Sequence, residues 1–324
     1  MNYRSVDDLN QCVLKNLHKV PDDVELIVGI PRSGLLAANL LALHINLPLT
    51  DLQGFIQGRV LNTGYRSKRA SHQKPRPYRK ALVIDDSIHS GRAMLEAREL
   101  VENAKLPIPS LFGCVYIKPG AESMVDLFFE RCPIPRIFEW NIFHSPRLEE
   151  SCVDIDGVLC RDPTEEENDD GEKYCRFLSS VPPRIIPSYP LGWLVTCRLE
   201  KYRSLTEEWL RQNGIRYNRL IMMNLPDKSS RIHSQGHSQF KADVYLQTDA
   251  KLFIESSVGQ ATKIAKVSGR SVFCIENRTM YASGTTMATS DGVAAARSTF
   301  GTRIRRLARK IAAQYRAKSA KNNA

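Results

Sequence analysis

The sequence predicts an α/β protein with two doubly wound parallel sheets in tandem and a basic helix at the C-terminal end. Three observations predict it. Short apolar runs suited to buried strands alternate with longer amphipathic runs suited to helices. Two of those strands run into pairs of aspartates, Asp85-Asp86 and Asp154-Ile155-Asp156, each followed by a turn containing glycine. The 324 residues are also enough for two domains of ordinary size.

The elements follow in order. Ser5 caps a helix that has Asp7 and Asp8 in its first turn and runs to about Leu17. Val24 to Val28 reads as a strand, and a turn, Gly29-Ile30-Pro31-Arg32-Ser33-Gly34, leads into an apolar helix from Leu35 to His44. A strand-to-helix turn of this kind offers backbone N–H groups to an anion. The stretch from Gly58 to His72 is basic, carries a turn glycine and lacks an apolar period, so it reads as an exposed hairpin or loop. Ala81 to Ile84 reads as a buried strand that ends at Asp85-Asp86; the turn Ser87-Ile88-His89-Ser90-Gly91 and a helix from Ala93 to Val101 come next. Such a site lies where open α/β sheets place their ligands. Leu111 to Ile117 and the run around Phe128-Phe129 are further strands. The aromatic segment Arg136 to Phe143 reads either as a pocket wall or as core packing.

In the second half, Cys152 to Leu159 is a short strand ending in Asp154 and Asp156 on alternate positions, which point the same way. Gly192 to Arg198 holds an apolar strand ending in Thr196, and Thr206 to Asn213 is an amphipathic helix with Trp209 and Leu210 inward. Lys241 lies in the run Gln239 to Tyr245, with Lys228 as a competitor in a poorer context, and Leu252 to Ser257 is a strand carrying Glu255. The acidic run Asp162 to Glu172 reads as a solvated loop, and only about forty residues separate Asp156 from Thr196, too few for an ordinary cap domain. Residues 283–290 are small and polar, a linker. Beyond them Ile304, Leu307, Ile311 and Tyr315 recur at helical spacing among Arg303, Arg305, Arg306, Arg309 and Lys310.

Two resemblances attach function to these patterns. Val83 to Gly91 resembles the phosphoribosyl-pyrophosphate (PRPP) motif of type I phosphoribosyltransferases, with Arg92-Ala93 where that family often has threonine. The resemblance implies a Rossmann-like sheet, PRPP as co-substrate and Mg²⁺. It implies that Asp85 and Asp86 face the ribose hydroxyls, and that Ser87, His89, Ser90, Gly91 and Arg92 hold the 5′-phosphate. It implies that Arg32, Ser33 and Gly34 receive pyrophosphate, and that Arg66, Lys68 and Arg69 belong to a lid that closes over the leaving polyanion. Phe138 and Trp140 are the candidate walls of the base pocket. Asp154-Ile155-Asp156-Gly157-Val158-Leu159 resembles the first motif of haloacid-dehalogenase (HAD)-like phosphatases. That resemblance implies Asp154 as nucleophile, Asp156 as acid and base, Thr196 on the phosphoryl group and Lys241 as its neutralising cation. It implies Mg²⁺ on Asp154, Asp156 and a third ligand. Glu255 is the expected ligand, unless it occupies the slot before the ligand and Ser256 stands in the ligand's place.

The expected organisation is therefore a phosphoribosyltransferase-like domain over 1–147, a HAD-like phosphatase domain over 148–282 and a linker with a basic helix over 283–324. The expected function is bifunctional: transfer of a phosphoribosyl group to a base, then removal of a phosphate. The alternative is a PRPP- or nucleotide-sensing domain that regulates the phosphatase. The net charge of +11 is concentrated in residues 59–80 and the tail, which points to phosphorylated small molecules at particular places more than to wholesale nucleic-acid binding. Self-association or docking of the tail is favoured over nucleic-acid or membrane-surface contact. No apolar run is long enough to span a bilayer, the N-terminus is polar and acidic, and the eight cysteines include no CxxC pair. These features lead to an expected cytoplasmic location.

Overall fold

The computed structural model describes residues 1–61, 78–233 and 236–282, except the side chains of 231–233. The lid residues Arg66, Lys68 and Arg69 and the 283–324 segment lie outside the described residues. A short strand β1 (Asn2–Arg4) precedes helix α1 (Val6–Lys15). Ser5 caps α1 in a reciprocal box with Asp8, each side chain bonding the other residue's backbone N–H.

The first sheet contains β2 (Leu26–Gly29), β3 (Leu49–Asp51), β4 (Ala81–Ile88), β5 (Ser110–Ile117) and β6 (Leu127–Arg131), all parallel in the order β3-β2-β4-β5-β6. Helices α2 (Gly34–Ile45), α3 (Leu52–Ile56) and α4 (Arg92–Asn103) complete this unit. The central strand is longer than its apolar run. It continues through the two acids because Asp85 and Ser87 stay in register with Cys114 and Tyr116 of β5. Asp85 and Asp86 therefore lie inside the strand near its carboxyl end, and the turn after it is only three residues long.

Strand β7 (Arg136–Phe138) pairs with β1 as a separate parallel ribbon. This ribbon links the two halves. The Tyr3 and Phe273 rings lie 5.5 Å apart, the Tyr3 hydroxyl donates to the Arg278 carbonyl at 2.7 Å, and Ile137 is buried in the second core.

The second sheet has β8 (Ser151–Val153), β9 (Leu191–Leu199), β10 (Tyr217–Met223), β11 (Leu252–Glu255), β12 (Val272–Cys274) and β13 (Thr279–Tyr281). Its order is β10-β9-β8-β11-β12-β13, parallel except for the β12–β13 pair. It is flanked by α5 (Glu172–Ser180), α6 (Arg203–Gln212), α7 (Lys228–His233), α8 (His237–Gln247) and α9 (Val258–Ser268). Helix α6 begins three residues earlier than its apolar pattern suggests, and turns inward as expected: Trp209 is buried and its indole N–H donates to the Val181 carbonyl.

The acidic run is more than a solvated loop. Asp169 accepts from the backbone of Gly171 and Tyr174 at the start of α5, and Asp170 accepts from Lys201, Tyr202 and the Lys228 backbone. These bonds tie the connection to α6 and α7. All eight cysteines are free, and among the described residues no helix is long and apolar enough to cross a membrane.

Candidate functional site

Three segments meet at the carboxyl end of β4. Asp86 Oδ1 accepts from the Ser33 hydroxyl at 2.8 Å, and its Oδ2 accepts from the Trp140 indole N–H at 2.8 Å. Arg32 donates to the Asn141 side-chain oxygen at 2.8 Å. The loop before α2, the acidic strand and the aromatic segment are thus held together through side chains. Gly34 is required for this approach: a Cβ there would lie 2.7 Å from Asp85 Oδ1 and 3.0 Å from the Ile84 carbonyl oxygen. The α2 N-terminus, with its unpaired N–H groups, is thereby brought against the acids.

Asp85 is almost fully buried and accepts from the Asp86 backbone N–H. Burial, with the Asp86 charge added, pushes its carboxyl up to about 8. Between about pH 4 and pH 8 the folded protein therefore holds a proton that the unfolded chain has released, so stability falls as pH rises through that window. Asp85→Asn, which keeps the acceptor, is expected to be more stable than the parent at pH 8 by on the order of 2 kcal/mol, and equal to it near pH 4. Paired thermal melts at the two pH values measure this. A parent that is as stable as the variant at pH 8 would show that Asp85 carries no such strain.

The other candidate residues of this half are placed unevenly. Ser87 and His89 line a pocket, with Arg136 and Phe138. Gly91 takes a left-handed φ of 78° as the turn closes onto α4. Ser90 accepts from the Arg92 backbone at 3.5 Å, and the Arg92 side chain lies exposed on Glu96 at 2.7 Å. This exposed pair is one helical turn long and weak, so it leaves the guanidinium available to a 5′-phosphate. Phe138 stacks between Tyr116 and Trp140, with centroids 5.5 and 4.9 Å away. It is buried in the core of the first half and also lines the pocket shared by Ser87 and His89.

The second site forms where β8, β9 and β11 end. Lys241, from α8, donates to Asp154 Oδ2 at 2.7 Å and Glu255 Oε2 at 2.8 Å, and is itself buried. Burial raises the Asp154 carboxyl to about 8, an effect opposed by Lys241 and reinforced by Glu255, while the two carboxylates hold Lys241 protonated. The competitor Lys228 bonds the Asn168 carbonyl. Thr196, Asp154, Asp156, Ser256 and Lys241 line one pocket of about 200 Å³. Gly157, at φ 78°, follows the aspartates because a Cβ there would sit 2.4 Å from that of Ser256.

Sequence reasoning missed Arg198. It is fully buried and its guanidinium grips Asp156 through Nε and Nη2, the shortest contact being 2.6 Å. Its signal was the residue two beyond Thr196 on an apolar strand, a position where a charge needs a buried partner.

Magnesium fits the two sites differently. Asp85 and Asp86 are two carboxylates without a third ligand, which suits an ion that arrives bound to a ligand's own phosphates. The predicted set of Asp154, Asp156 and Glu255 does not fit. Glu255 has no exposed surface, and its oxygens are spent on Lys241 and on Ser256 N and Oγ. Asp156 is held by Arg198, and it is Ser256 that faces the pocket. Among the described residues, no three His, Cys, Asp or Glu residues are grouped to hold a metal. Glu255 is thus a structural partner of Lys241, its direction fixed by that buried ion pair.

A parallel α/β sheet with an acidic pair near the carboxyl end of its central strand and a helix N-terminus beside it is the place where open α/β sheets bind ligands. Residues 5–144 match the family model of the phosphoribosyl transferase domain. No curated protein sequence matches the chain. Among solved structures, the xanthine-guanine-hypoxanthine phosphoribosyltransferase of Helicobacter pylori is 15% identical, with a TM-score of 0.31, over 44% of this chain and 92% of its own. The purine phosphoribosyltransferase of Pyrococcus horikoshii is 17% identical, with a TM-score of 0.31, over 43% and 92%. A chain of a Pnkp1/Rnl/Hen1 complex is 14% identical, with a TM-score of 0.28, over 85% of this chain and 87% of its own.

Proposed function

We infer that residues 1–147 transfer a phosphoribosyl group from PRPP to a nitrogen acceptor and that 148–282 form a HAD-like domain that hydrolyses phosphate monoesters. The observation that carries the first reading is Asp86, bonded at once to Ser33 of the pyrophosphate-side loop and to Trp140 of the aromatic segment. Asp85 and Asp86 accept the ribose hydroxyls, and the α2 N-terminus with Arg32, Ser33 and Gly34 receives pyrophosphate. The acceptor nitrogen bonds to C1′ as the C1′–O bond breaks. That electron pair leaves with pyrophosphate, and any acceptor N–H proton is released. Asp85 and Asp86 would hold a magnesium ion that arrives with the donor, and that ion would supply charge neutralisation of the leaving group. The test is pyrophosphate release from PRPP with a panel of acceptors. Donor binding with no release from any acceptor favours the sensing role instead.

The second reading rests on Asp154, set 2.7 Å from Lys241 in a pocket shared with Thr196. Asp154 bonds to phosphorus as the ester P–O bond breaks, and the leaving oxygen takes its electron pair and a proton. Water then cleaves the aspartyl-phosphate. Lys241 balances the phosphoryl charge, Thr196 binds a phosphoryl oxygen, and Asp156, oriented by Arg198, is placed to exchange the proton. With p-nitrophenyl phosphate as probe, Asp154→Asn is expected to reduce orthophosphate release at least about 10³-fold, the nucleophile being lost. Undiminished release from that variant would remove the covalent mechanism. Where both readings hold, the 5′-phosphorylated product of the first site has the chemistry the second site consumes.

A further inference from the structure

A cavity of about 690 Å³ lies on the second sheet, between β9, the edge strand β10 and the last turn of α8. It shares no residue with the Asp154 pocket. Val195 of β9 is buried in the core beneath α8 with Ala242 and Tyr245. Trp193, two residues earlier on the same face, and Ile221, the partner of Val195 on β10, are only half-buried at the margin of that core. The sheet therefore leaves an indole open to the cavity at its edge.

The polar groups around this ring have unspent bonding capacity. Among the described residues, Trp193 has no ring partner and its indole N–H has no acceptor. Arg219 stands in register with Trp193 on the neighbouring strand, so its side chain leaves the same face. Gln247 and Asp249 line the cavity from the end of α8. All three are exposed, and among the described residues none has a hydrogen-bond or ion-pair partner through its side chain. Arg219 and Asp249 do not pair with each other, so both charges are open to one ligand. A bare phosphate makes no use of the ring and is repelled by Asp249, and an apolar chain strands both charges. A planar base stacks on Trp193, its exocyclic amine donates to Asp249, and a phosphate on the same molecule accepts from Arg219. A cavity of this size holds a ligand of mononucleotide size.

We propose that this cavity binds a nucleoside 5′-monophosphate whose base carries an exocyclic amine, with Trp193 as the stacking surface, Asp249 on the amine and Arg219 on the phosphate. The proposal rests on neither the transfer nor the hydrolysis reading, because no residue of either site lines the cavity.

The experiment is calorimetric titration of the full chain with the 5′-monophosphates of adenosine, guanosine and cytidine, against those of inosine and uridine, adenosine itself and inorganic phosphate. At least one amine-bearing nucleotide should bind more tightly than all of the controls. Trp193→Ala should raise its Kd about 10- to 100-fold, the loss of one stacked base, and Trp193→Phe should recover part of that. Arg219→Ala and Asp249→Asn, which remove exposed groups from the rim, should each raise it about 10-fold or more. The same nucleotide should bind undiminished to Asp86→Ala and to Asp154→Asn, which alter the other two sites. Binding that follows Asp86 or Asp154 and ignores Trp193 overturns the proposal. So does equal or tighter binding of the inosine or uridine nucleotide, or of inorganic phosphate. Absence of binding by every amine-bearing nucleotide overturns it too, and leaves both catalytic readings standing.

Discussion

Lys241→Met is expected to destabilise the protein by about 3–5 kcal/mol, the cost of removing one partner from a buried ion pair. Lys241 is the ammonium that contacts both Asp154 and Glu255, and all three side chains are buried. Without it two buried carboxylates face each other at the base of the pocket. They respond by binding protons, so the folded variant holds protons that the unfolded chain has released. Its stability therefore falls as pH rises above the ordinary carboxylate range. The deficit against the parent, read from denaturant midpoints, should be larger at pH 8 than at pH 5. Adding Glu255→Gln removes one of the stranded charges and should recover part of the loss at pH 8. A single variant as stable as the parent at pH 8 would show that the carboxylates do not depend on Lys241.

The second large effect concerns the donor. Asp86→Ala should raise the KM for PRPP, or its Kd, about 10²- to 10⁴-fold. The substitution deletes two charge-assisted acceptor positions, each worth about 1.5–3 kcal/mol. It also releases the Ser33 hydroxyl and the Trp140 indole, the two groups that Asp86 holds in place. Asp86→Asn keeps one acceptor and should fall between the two. Both variants should leave p-nitrophenyl phosphate hydrolysis within about two-fold of the parent, because the Asp154 pocket is built on a separate sheet. Titration with PRPP and the two activity assays read these outcomes separately. An Asp86→Ala variant that binds PRPP normally would place the ribose elsewhere.

Local pattern was enough for the elements whose causes are local. Ser5, with Asp7 and Asp8 after it, announces the start of α1, and the alternation of apolar strands with amphipathic helices announces parallel α/β sheets. Local pattern failed where burial across the chain decided direction. The apolar run stopped at Ile84, yet β4 continues to Ile88, since pairing with β5 satisfies the backbone whatever the side chains are.

The sequence by itself determined which residue types stand toward the carboxyl ends of the strands: two acids after Val83-Ile84, an Asp-x-Asp-Gly turn, a threonine late in an apolar strand that continues to Leu199. Spacing along a chain is enough for that, because the side-chain periods of strands and helices are fixed by backbone geometry. Only the tertiary structure decided what each charge faces. Lys241 joins Asp154 from 87 residues away, Arg198 holds Asp156 from 42 away, and Trp140 reaches Asp86 across 54. It also turned Glu255 inward, left Ser256 on the pocket and set Arg136 over the Phe138 ring, against the carbonyls of Cys132 and Ile88. A buried charge must find its partner wherever the packed sheets bring one, and no local period encodes that meeting.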